Sequence, residues 1–178
     1  MQHPSPSITI RPYREGDAPL LFDAATESIA EVFPWLPWCH PGYTIEESRT
    51  WIAHSLKAWS AREEFNFVIE DRSGRFLGGI GLNQIIESHR VANLGYWVRT
   101  SATRGGIATA AVQRITEFAF TNTDLVRLEI VVAVENVFSL RVAEKSGALR
   151  EGIFHDRLFC DGRAHDAMMY AVLRSRRR

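Results

Sequence analysis

The 178-residue sequence predicts one α/β (α+β) domain of about seven strands and four helices. Three observations indicate this fold class. The stretch Asn93–Phe120 begins with the two-residue period of a strand and ends with the 3.6-residue period of a helix. Two strand-like segments precede it with only short turns between them, which is typical of an antiparallel meander. An Asp161-Gly162 pair between the last two strand-like segments is a strong hairpin signal.

The N-terminal part contains a strand, a helix and an irregular loop. Apolar and polar residues alternate over Ile8–Tyr13, which predicts the first strand. Asp17 is a suitable N-cap for the first helix, which runs through Ile29 and ends before Pro34. Phe33–Trp38 contains two prolines, so it cannot continue as a regular helix and forms an apolar loop.

A second helix and two strands follow. Thr44–Glu47 has the Thr-x-x-Glu spacing of a capping box, and it starts a helix that reaches Trp59. Phe65–Asp71 and Phe76–Ile86 have the composition of strands, and a short turn separates them. A second turn leads into the central stretch, so the three strands should form consecutive antiparallel pairs.

The central stretch places a glycine-containing loop between a strand, Asn93–Arg99, and a helix that continues to Phe120. The loop, Thr103–Ala108, carries Arg104 and two glycines. A helix N-terminus has unpaired N–H groups and a partial positive charge, and glycine lets a ligand approach the backbone closely. These features favour a pyrophosphate-binding site, although the spacing matches neither the Rossmann nor the P-loop motif. The alternative is an ordinary strand-to-helix connection whose glycines relieve crowding.

The C-terminal part alternates strands with one short helix. Arg127–Val134 is an almost continuous apolar run, which is typical of a strand covered on both faces. Val137–Lys145 has the length and pattern of a short helix, and Gly147 fits its C-terminal end. Leu149–Cys160 and Arg163–Leu173 form the predicted final hairpin.

Composition and charge exclude several classes of protein. The formal net charge is zero, which argues against nonspecific nucleic-acid binding. No apolar run is long enough to span a membrane, and no signal peptide is recognisable. Cys39 and Cys160 lack metal-ligand spacing, so we expect a reduced, cytoplasmic protein without a metal. Residues 1–7 are expected to be a flexible end, 8–173 the single domain and 174–178 a basic tail.

Three motifs give the sequence a closer resemblance. They are Gly95–Val98 followed by Gly106–Thr109, the segment Glu135–Ala148 that begins Glu-Asn-Val-Phe-Ser, and the early Pro34–Trp38. Together they resemble the GNAT acetyltransferase superfamily, and within it the ribosomal-protein alanine and serine N-acetyltransferases of the RimJ and RimL type. The resemblance extends from Ile8 to Leu173. It implies a GNAT fold with a single twisted, mixed, mostly antiparallel sheet.

The sequence departs from the superfamily pattern at two places. Thr103 stands where Gln or Arg is usual, and Arg104-Gly105 reverses the Gly-Arg order that is common in this branch. The tyrosine that many members use as a general acid, on the helix after Asn136, is absent, and Ser139 occupies the Asn-x-x-Ser position instead. Because the loop binds mainly through backbone donors, the resemblance still implies coenzyme binding.

The resemblance implies acetyl-coenzyme A as the donor and a primary amine as the acceptor. The residues implied to bind the coenzyme are Trp97, Val98, Arg104, Gly105, Gly106, Ile107, Ala108, Thr109, Asn136 and Ser139. Two of them are catalytic candidates: the amide of Val98 would polarise the thioester carbonyl, and Ser139 would protonate the departing thiolate or hydrogen-bond its sulfur. Asn136 also fits the N-cap of its helix, and the two roles are compatible. Ser139 could instead bond the backbone within the first helical turn.

The sequence defines the acceptor site less sharply. Trp35 and Trp38 either cap the core or line the acceptor cleft, and they are the substrate-binding candidates. An α-amine, with a pKa of about 8, needs a weaker base than a lysine amine, with a pKa of about 10.4. Further candidates by chemistry alone are Tyr43 and Phe154 for the cleft and Glu31, His89, Glu129 and His155 for the base. For each of these four bases, a surface or structural role is the favoured alternative. His165-Asp166 is interpreted as a structural pair.

Three functions are compatible with these observations. The first is acetylation of a protein or peptide N-terminal α-amine, such as that of a ribosomal protein, by direct attack in a ternary complex. The second is acetylation of a small amine, namely a polyamine, an amino-acid derivative or an antibiotic. The third is a non-catalytic sensor of coenzyme A, against which the intact Asn136–Ser139 pair argues. No metal, nucleic acid or membrane is expected as a partner, and a homodimer is compatible with the sequence.

Overall fold

A computed structural model of the chain describes residues 6–174. The strands are β1 (Ile8–Pro12), β2 (Phe65–Asp71), β3 (Phe76–Ile86), β4 (Val91–Val98), β5 (Arg127–Ala133), β6 (Leu149–Cys160) and β7 (Arg163–Leu173). The helices are α1 (Ala18–Val32), α2 (Ile45–Ala61), α3 (Ile107–Asn122) and α4 (Val137–Lys145). These elements occur in the predicted order. The expected flexible end (1–7) and basic tail (174–178) lie mostly outside the described residues.

The strands form one sheet in the order β1-β2-β3-β4-β5-β7-β6. All neighbouring strands are antiparallel except β4 and β5, which are parallel. The predicted meander is β2-β3-β4, and the predicted hairpin joins β6 to β7. Its turn residues Asp161 and Gly162 have positive φ angles of 50° and 71°, as a type I′ turn requires. The mixed, mostly antiparallel sheet expected for the fold class is confirmed.

The helices cover both faces of the sheet. Val112 and Ile115 of α3 are buried in the main core together with Leu94 of β4 and Leu128 of β5. On the opposite face of the sheet, Leu21 of α1 and Ile52 of α2 are buried in a second apolar cluster together with Val68 of β2. Neighbouring residues of a strand point to opposite faces, so β4 presents different side chains to the two helix layers.

The predicted N-caps of the first two helices differ in what their side chains bind. Thr44 caps α2, because its Oγ1 accepts from the Glu47 N–H at 3.3 Å while Glu47 Oε2 accepts from the Thr44 N–H at 2.8 Å. Asp17 is the N-cap residue of α1, as predicted, but its side chain makes no capping hydrogen bond. The carboxylate turns back to accept from the Arg14 N–H at 2.7 Å and from the Arg11 guanidinium at 2.7 and 2.8 Å. A bidentate charged pair is stronger than a single capping bond.

The turn between β4 and α3 is anchored to α1. Arg99, the residue after β4, is buried, and its guanidinium donates to the carboxylates of Asp23 and Glu27 and to the Phe76 carbonyl. Glu27 also accepts from the Ser101 N–H at 2.7 Å. The guanidinium lowers the pKa of the Glu27 carboxyl to about 2, so this carboxylate is charged at neutral pH. The contact fixes the backbone from which α3 begins.

Candidate active site

The sheet opens between its two parallel strands. Strand β4 pairs with β5 only through Val91–Asn93, which face Arg127–Glu129. Beyond Asn93 the ladder ends, and the C-terminal halves of the two strands separate. The gap therefore lies inside the sheet, where strand edges are normally paired.

The backbone of β4 directs free hydrogen-bonding groups into this gap. The N–H of Arg99 donates to the carbonyl of Leu77 in β3 at 2.8 Å. In an antiparallel ladder, successive residues turn their N–H and C=O groups alternately toward and away from the neighbouring strand. The backbone groups of Trp97 therefore face β3, so the coenzyme contact expected of Trp97 is not available to its backbone. Those of Tyr96 and Val98 face the gap. The Val98 amide, predicted to polarise a thioester, is available there.

The N-terminus of α3 opens at the same end of β4. Gly106 is its N-cap with φ = 75°, and Arg104 also has a positive φ of 64°. The first N–H groups of the helix, on Ile107, Ala108 and Thr109, donate to no acceptor within residues 6–174. The loop is exposed, so these donors can reach a ligand. This geometry fits the pyrophosphate-binding role expected of Arg104–Thr109.

Helix α4 brings a second set of polar groups to the gap. Asn136 caps it, because its side-chain oxygen accepts from the Ser139 N–H at 3.2 Å. This bond occupies the amide oxygen and leaves the Asn136 NH₂ group for a ligand. The Ser139 hydroxyl lies 2.9 Å from the Tyr96 hydroxyl on β4, so α4 is bonded to β4 across the gap.

Tyr96 is a residue that the sequence analysis did not assign. Burial raises its pKa to about 12, so the phenol keeps its proton at neutral pH. Tyr96 lies two residues before Val98, so the alternation of the strand already places both residues on the same face of β4. This spacing could have identified Tyr96 as a site residue. What the pattern lacked was the partner, because Ser139 lies 43 residues further along the chain.

The loop between α1 and α2 closes the opposite face of the sheet. Trp38 packs on Trp97 with ring centroids 5.3 Å apart and on Tyr43 at 5.6 Å. Trp35 packs on His165 of β7 with centroids 6.3 Å apart. The loop thus reaches from β4 to β7 over the end of the gap. Trp38 stays 38% exposed, so the ring has a free surface.

The candidate bases named from chemistry alone are scattered. Glu31 accepts from the Thr100 hydroxyl at 2.8 Å, and Glu129 accepts from Arg127 at 2.8 Å. His89 lies in the exposed turn between β3 and β4. His155, the fourth candidate base, is exposed on β6, the edge strand of the sheet. Phe154, a candidate for the cleft, is exposed on the same strand. The structure brings none of the four bases into hydrogen-bond distance of Ser139 among the described residues.

The predicted His165–Asp166 pair does not form. Adjacent residues of β7 point to opposite faces, and Asp166 binds His155 of β6 at 2.9 Å. His165 is buried, with Nδ1 3.3 Å from a Glu135 carboxylate oxygen and Nε2 3.2 Å from the Cys160 carbonyl. The pKa of Glu135 is lowered by its own backbone N–H and by the His165 ring. A charged Glu135 therefore lies beside the aromatic loop, and sequence reasoning missed it.

Within the described part of the chain, no three His, Cys, Asp or Glu side chains are grouped so that they could hold a metal ion. No helix between residues 6 and 174 is long and apolar enough to cross a membrane.

These features define a class of protein, one with a split mixed sheet and a helix N-terminus at the opening, suited to a coenzyme with a pyrophosphate. The sequence profile described as "Acetyltransferase (GNAT) domain" matches residues 7–149. The chain therefore belongs to the GNAT acetyltransferase family, whose members are acetyl-CoA-dependent N-acetyltransferases. The resemblance stated from the motifs is confirmed.

Similar proteins are named for different acceptors. YdaF of Bacillus subtilis (strain 168), whose name assigns it provisionally to ribosomal N-acetylation, is 36% identical over 101 residues, 57% of this chain and 55% of YdaF. This chain thus spans about half the length of that relative. YjcK of the same organism, named as an N-acetyltransferase, is 33% identical over 133 residues, 74% of each chain. The spermidine N(1)-acetyltransferase of Vibrio cholerae is 28% identical over 113 residues, 64% of this chain and 65% of that enzyme.

Solved structures share the fold over almost the whole chain. Mycobacterium smegmatis RimJ, in complex with CoA-disulfide, superposes with a TM-score of 0.86 at 28% identity and covers 96% of this chain and 83% of RimJ.

Proposed function

We propose that this chain transfers the acetyl group of acetyl-CoA to the N-terminal α-amine of a protein or peptide, by direct attack in a ternary complex. The observation that carries the proposal is the gap between β4 and β5. Tyr96 and Ser139 border it on one face, and Trp38, in edge-to-face contact with Trp97, borders it on the other. A coenzyme on the first face and an acceptor on the second would meet at the end of β4. Direct transfer needs such an arrangement.

The coenzyme would use the backbone more than side chains. The free N–H groups at the start of α3 would bind the pyrophosphate, and the exposed Arg104 would add a positive charge. The pantetheine arm would bond the gap-facing edge of β4 at Tyr96 and Val98, as an added strand does. The NH₂ group of Asn136, left free by the cap, would donate to a pantetheine carbonyl.

The reaction would proceed on the thioester itself. The Val98 amide would stabilise the negative charge on the carbonyl oxygen, and one such donor is worth about 3–4 kcal/mol of barrier. Ser139 would give a proton to the coenzyme sulfur as the C–S bond breaks. The acceptor ammonium loses one proton to solvent before attack and the amide nitrogen loses a second on collapse, so one proton is released per turnover.

The α-amine fits better than a lysine side chain. At neutral pH an α-amine with a pKa of about 8 loses its proton at a cost of roughly 1 kcal/mol, against roughly 4–5 kcal/mol for a lysine amine. None of the four base candidates from the sequence lies beside Ser139 among the described residues. An acceptor that water can deprotonate is therefore favoured. The ribosomal naming of YdaF and the likeness to RimJ also support a protein N-terminus.

A small amine is the second candidate acceptor. It is favoured by one observation, the similarity to the spermidine acetyltransferase of Vibrio cholerae. Glu135 supplies a carboxylate near the aromatic loop, which a polycation could use. The zero net charge of the chain offers little further attraction to a polyamine.

A turnover assay with acetyl-CoA tests the proposal. Release of free thiol is followed with peptides that start with Ala or Ser, the same peptides with a blocked N-terminus and an internal lysine, and spermidine. We expect turnover only with the free N-terminal peptides. Turnover confined to spermidine would replace the proposal by the small-amine function.

A further inference from the structure

Tyr96, which is not among the site residues expected from the sequence, contacts Ser139, the expected proton donor. The Tyr96 hydroxyl lies 2.9 Å from Ser139 Oγ and 3.2 Å from the Ser139 carbonyl oxygen. Both distances are those of ordinary hydrogen bonds. One phenol on β4 is thus within reach of two oxygens of the residue that is proposed to face the coenzyme sulfur.

The phenol has a single proton, so it can adopt two arrangements. In the first, Tyr96 donates to the Ser139 carbonyl and accepts from the Ser139 hydroxyl, which then points away from the coenzyme. In the second, Tyr96 donates to Ser139 Oγ, and the proton of Ser139 becomes free for another acceptor. Rotation of two O–H bonds interconverts them, and no heavy atom has to move.

We propose that Tyr96 is a positioning residue that turns the Ser139 hydroxyl toward the sulfur of coenzyme A. This inference rests on the proposed function and adds to it the device that stabilises the leaving thiolate. A hydrogen bond from Tyr96 to Ser139 Oγ also polarises the serine hydroxyl and makes it a stronger donor. Tyr96 acts through Ser139 and need not touch the substrate.

Every proton transferred when the thioester breaks down has a donor and an acceptor. When the C–S bond breaks, its electron pair goes to sulfur, which takes the proton of Ser139 Oγ. Ser139 takes the Tyr96 proton in the same movement, and Tyr96 recovers a proton from solvent. Solvent has received two protons from the acceptor nitrogen, so one proton per turnover remains released. No oxidant or further reactant is needed.

The surroundings of Tyr96 supply a matched control. Tyr170 is the neighbouring buried tyrosine, and its hydroxyl donates to the carboxylate of Glu144 at 3.0 Å. Tyr170 is the ionisable neighbour that acts on the Tyr96 phenol among the described residues, and Glu144 acts on Tyr170. The Tyr170→Phe change removes a buried phenolic hydroxyl of the same core but leaves the contact with Ser139 intact.

The thiol pKa of bound coenzyme A tests the proposal without an acceptor. The ultraviolet absorbance of the thiolate is titrated in complexes of coenzyme A with the wild type, Tyr96→Phe, Ser139→Ala, the double variant and Tyr170→Phe. A donated hydrogen bond favours the thiolate, so the wild type should lower the thiol pKa below that of free coenzyme. We expect Tyr96→Phe and Ser139→Ala each to raise it by about one unit, the double variant to raise it no further, and Tyr170→Phe to leave it unchanged.

Three results with these four variants would overturn the proposal. The first is a thiol pKa of bound coenzyme A that is the same in Tyr96→Phe as in the wild type. The second is a shift in the double variant equal to the sum of the two single shifts. The third is a shift in Tyr170→Phe as large as that in Tyr96→Phe. Replacement of Tyr96 by 3-fluorotyrosine guards against a folding defect, because it keeps the hydroxyl and makes it more acidic. The bound thiol pKa should then fall below the wild-type value, and an unchanged value would also contradict the proposal. Amine turnover is measured separately, so failure of the proposed function is recognisable in its own right.

Discussion

Gly106 adopts a backbone conformation that ordinary residues avoid. Its φ of 75° lies in the left-handed region, and a built Cβ would be 3.6 Å from Pro6, an ordinary contact distance. Space is therefore available for a side chain, and the backbone angle is what favours glycine. The residue turns the chain so that the first N–H groups of α3 face outward.

The Gly106→Glu variant should lose coenzyme A binding. The new carboxylate would lie where we place the pyrophosphate, and the L-residue would strain the turn, so we expect affinity to fall at least about 100-fold by calorimetry. Gly147→Glu is the matched control, since Gly147 has a φ of 86° and an open site after α4. Equal coenzyme affinity in the two variants would argue against the binding role of the loop.

At the scale of elements, α1 holds the β4–α3 connection by charge. Arg99 is almost fully buried and binds Glu27 and Asp23, which are less enclosed. The Ser28 hydroxyl adds a bond from the Thr100 N–H at 3.0 Å. The start of α3 thus depends on a helix that lies more than 70 positions earlier in the chain.

Acid should release this contact in a defined pH window. The folded pKa of Glu27, about 2, lies below the ordinary glutamate value of about 4.3, so the ionised carboxylate stabilises the fold above pH 4.3. That contribution is lost as the pH falls from 4.3 toward 2. We expect the Tm difference between wild type and Glu27→Gln to shrink over this range when Tm is measured by calorimetry.

An exposed pair provides the control for this titration. Glu46 binds Arg49 on the surface of α2, where screening by water leaves little net stabilisation. Glu46→Gln should change Tm little at any pH. A Tm difference for Glu27→Gln that is the same at pH 5 and pH 2.5 would contradict the assignment.

On the scale of the whole molecule, the aromatic loop connects two parts of the sheet that do not pair with each other. Trp38 rests on β4 and Trp35 on β7, while β5 lies between these strands in the sheet. The loop therefore covers the end of the gap on the face opposite Tyr96. We expect it to contact the acceptor and not the coenzyme.

The Trp38→Ala variant should separate acceptor binding from coenzyme binding. Loss of an aromatic contact is worth about 0.5–1.5 kcal/mol, so we expect the acceptor KM to rise up to about 10-fold with the Kd for coenzyme A unchanged. Trp51→Ala is the control, because Trp51 on α2 is also 38% exposed but packs on His54. A rise in coenzyme Kd with an unchanged acceptor KM would place Trp38 in the core or the coenzyme site.

The sequence alone determined the elements of this protein and the family to which it belongs. Periodicity located the strands and helices, because a strand or helix exposes one face to solvent and buries the other within a short segment. The capping box at Thr44 and the Asp161-Gly162 turn were read correctly for the same local reason. Gly106, Asn136 and Ser139 were singled out because they lie in compact motifs.

The tertiary structure alone decided which distant residues meet. Tyr96 and Ser139 are 43 positions apart, and Arg99 and Glu27 are 72 apart, so no local pattern links either pair. For Asp17, the sequence located the N-cap position correctly, but the partner of its carboxylate is the Arg11 guanidinium, which the packing of β1 against the start of α1 supplies. Local periodicity reports burial, whereas the partner of a polar side chain depends on how the sheet is ordered and where it opens.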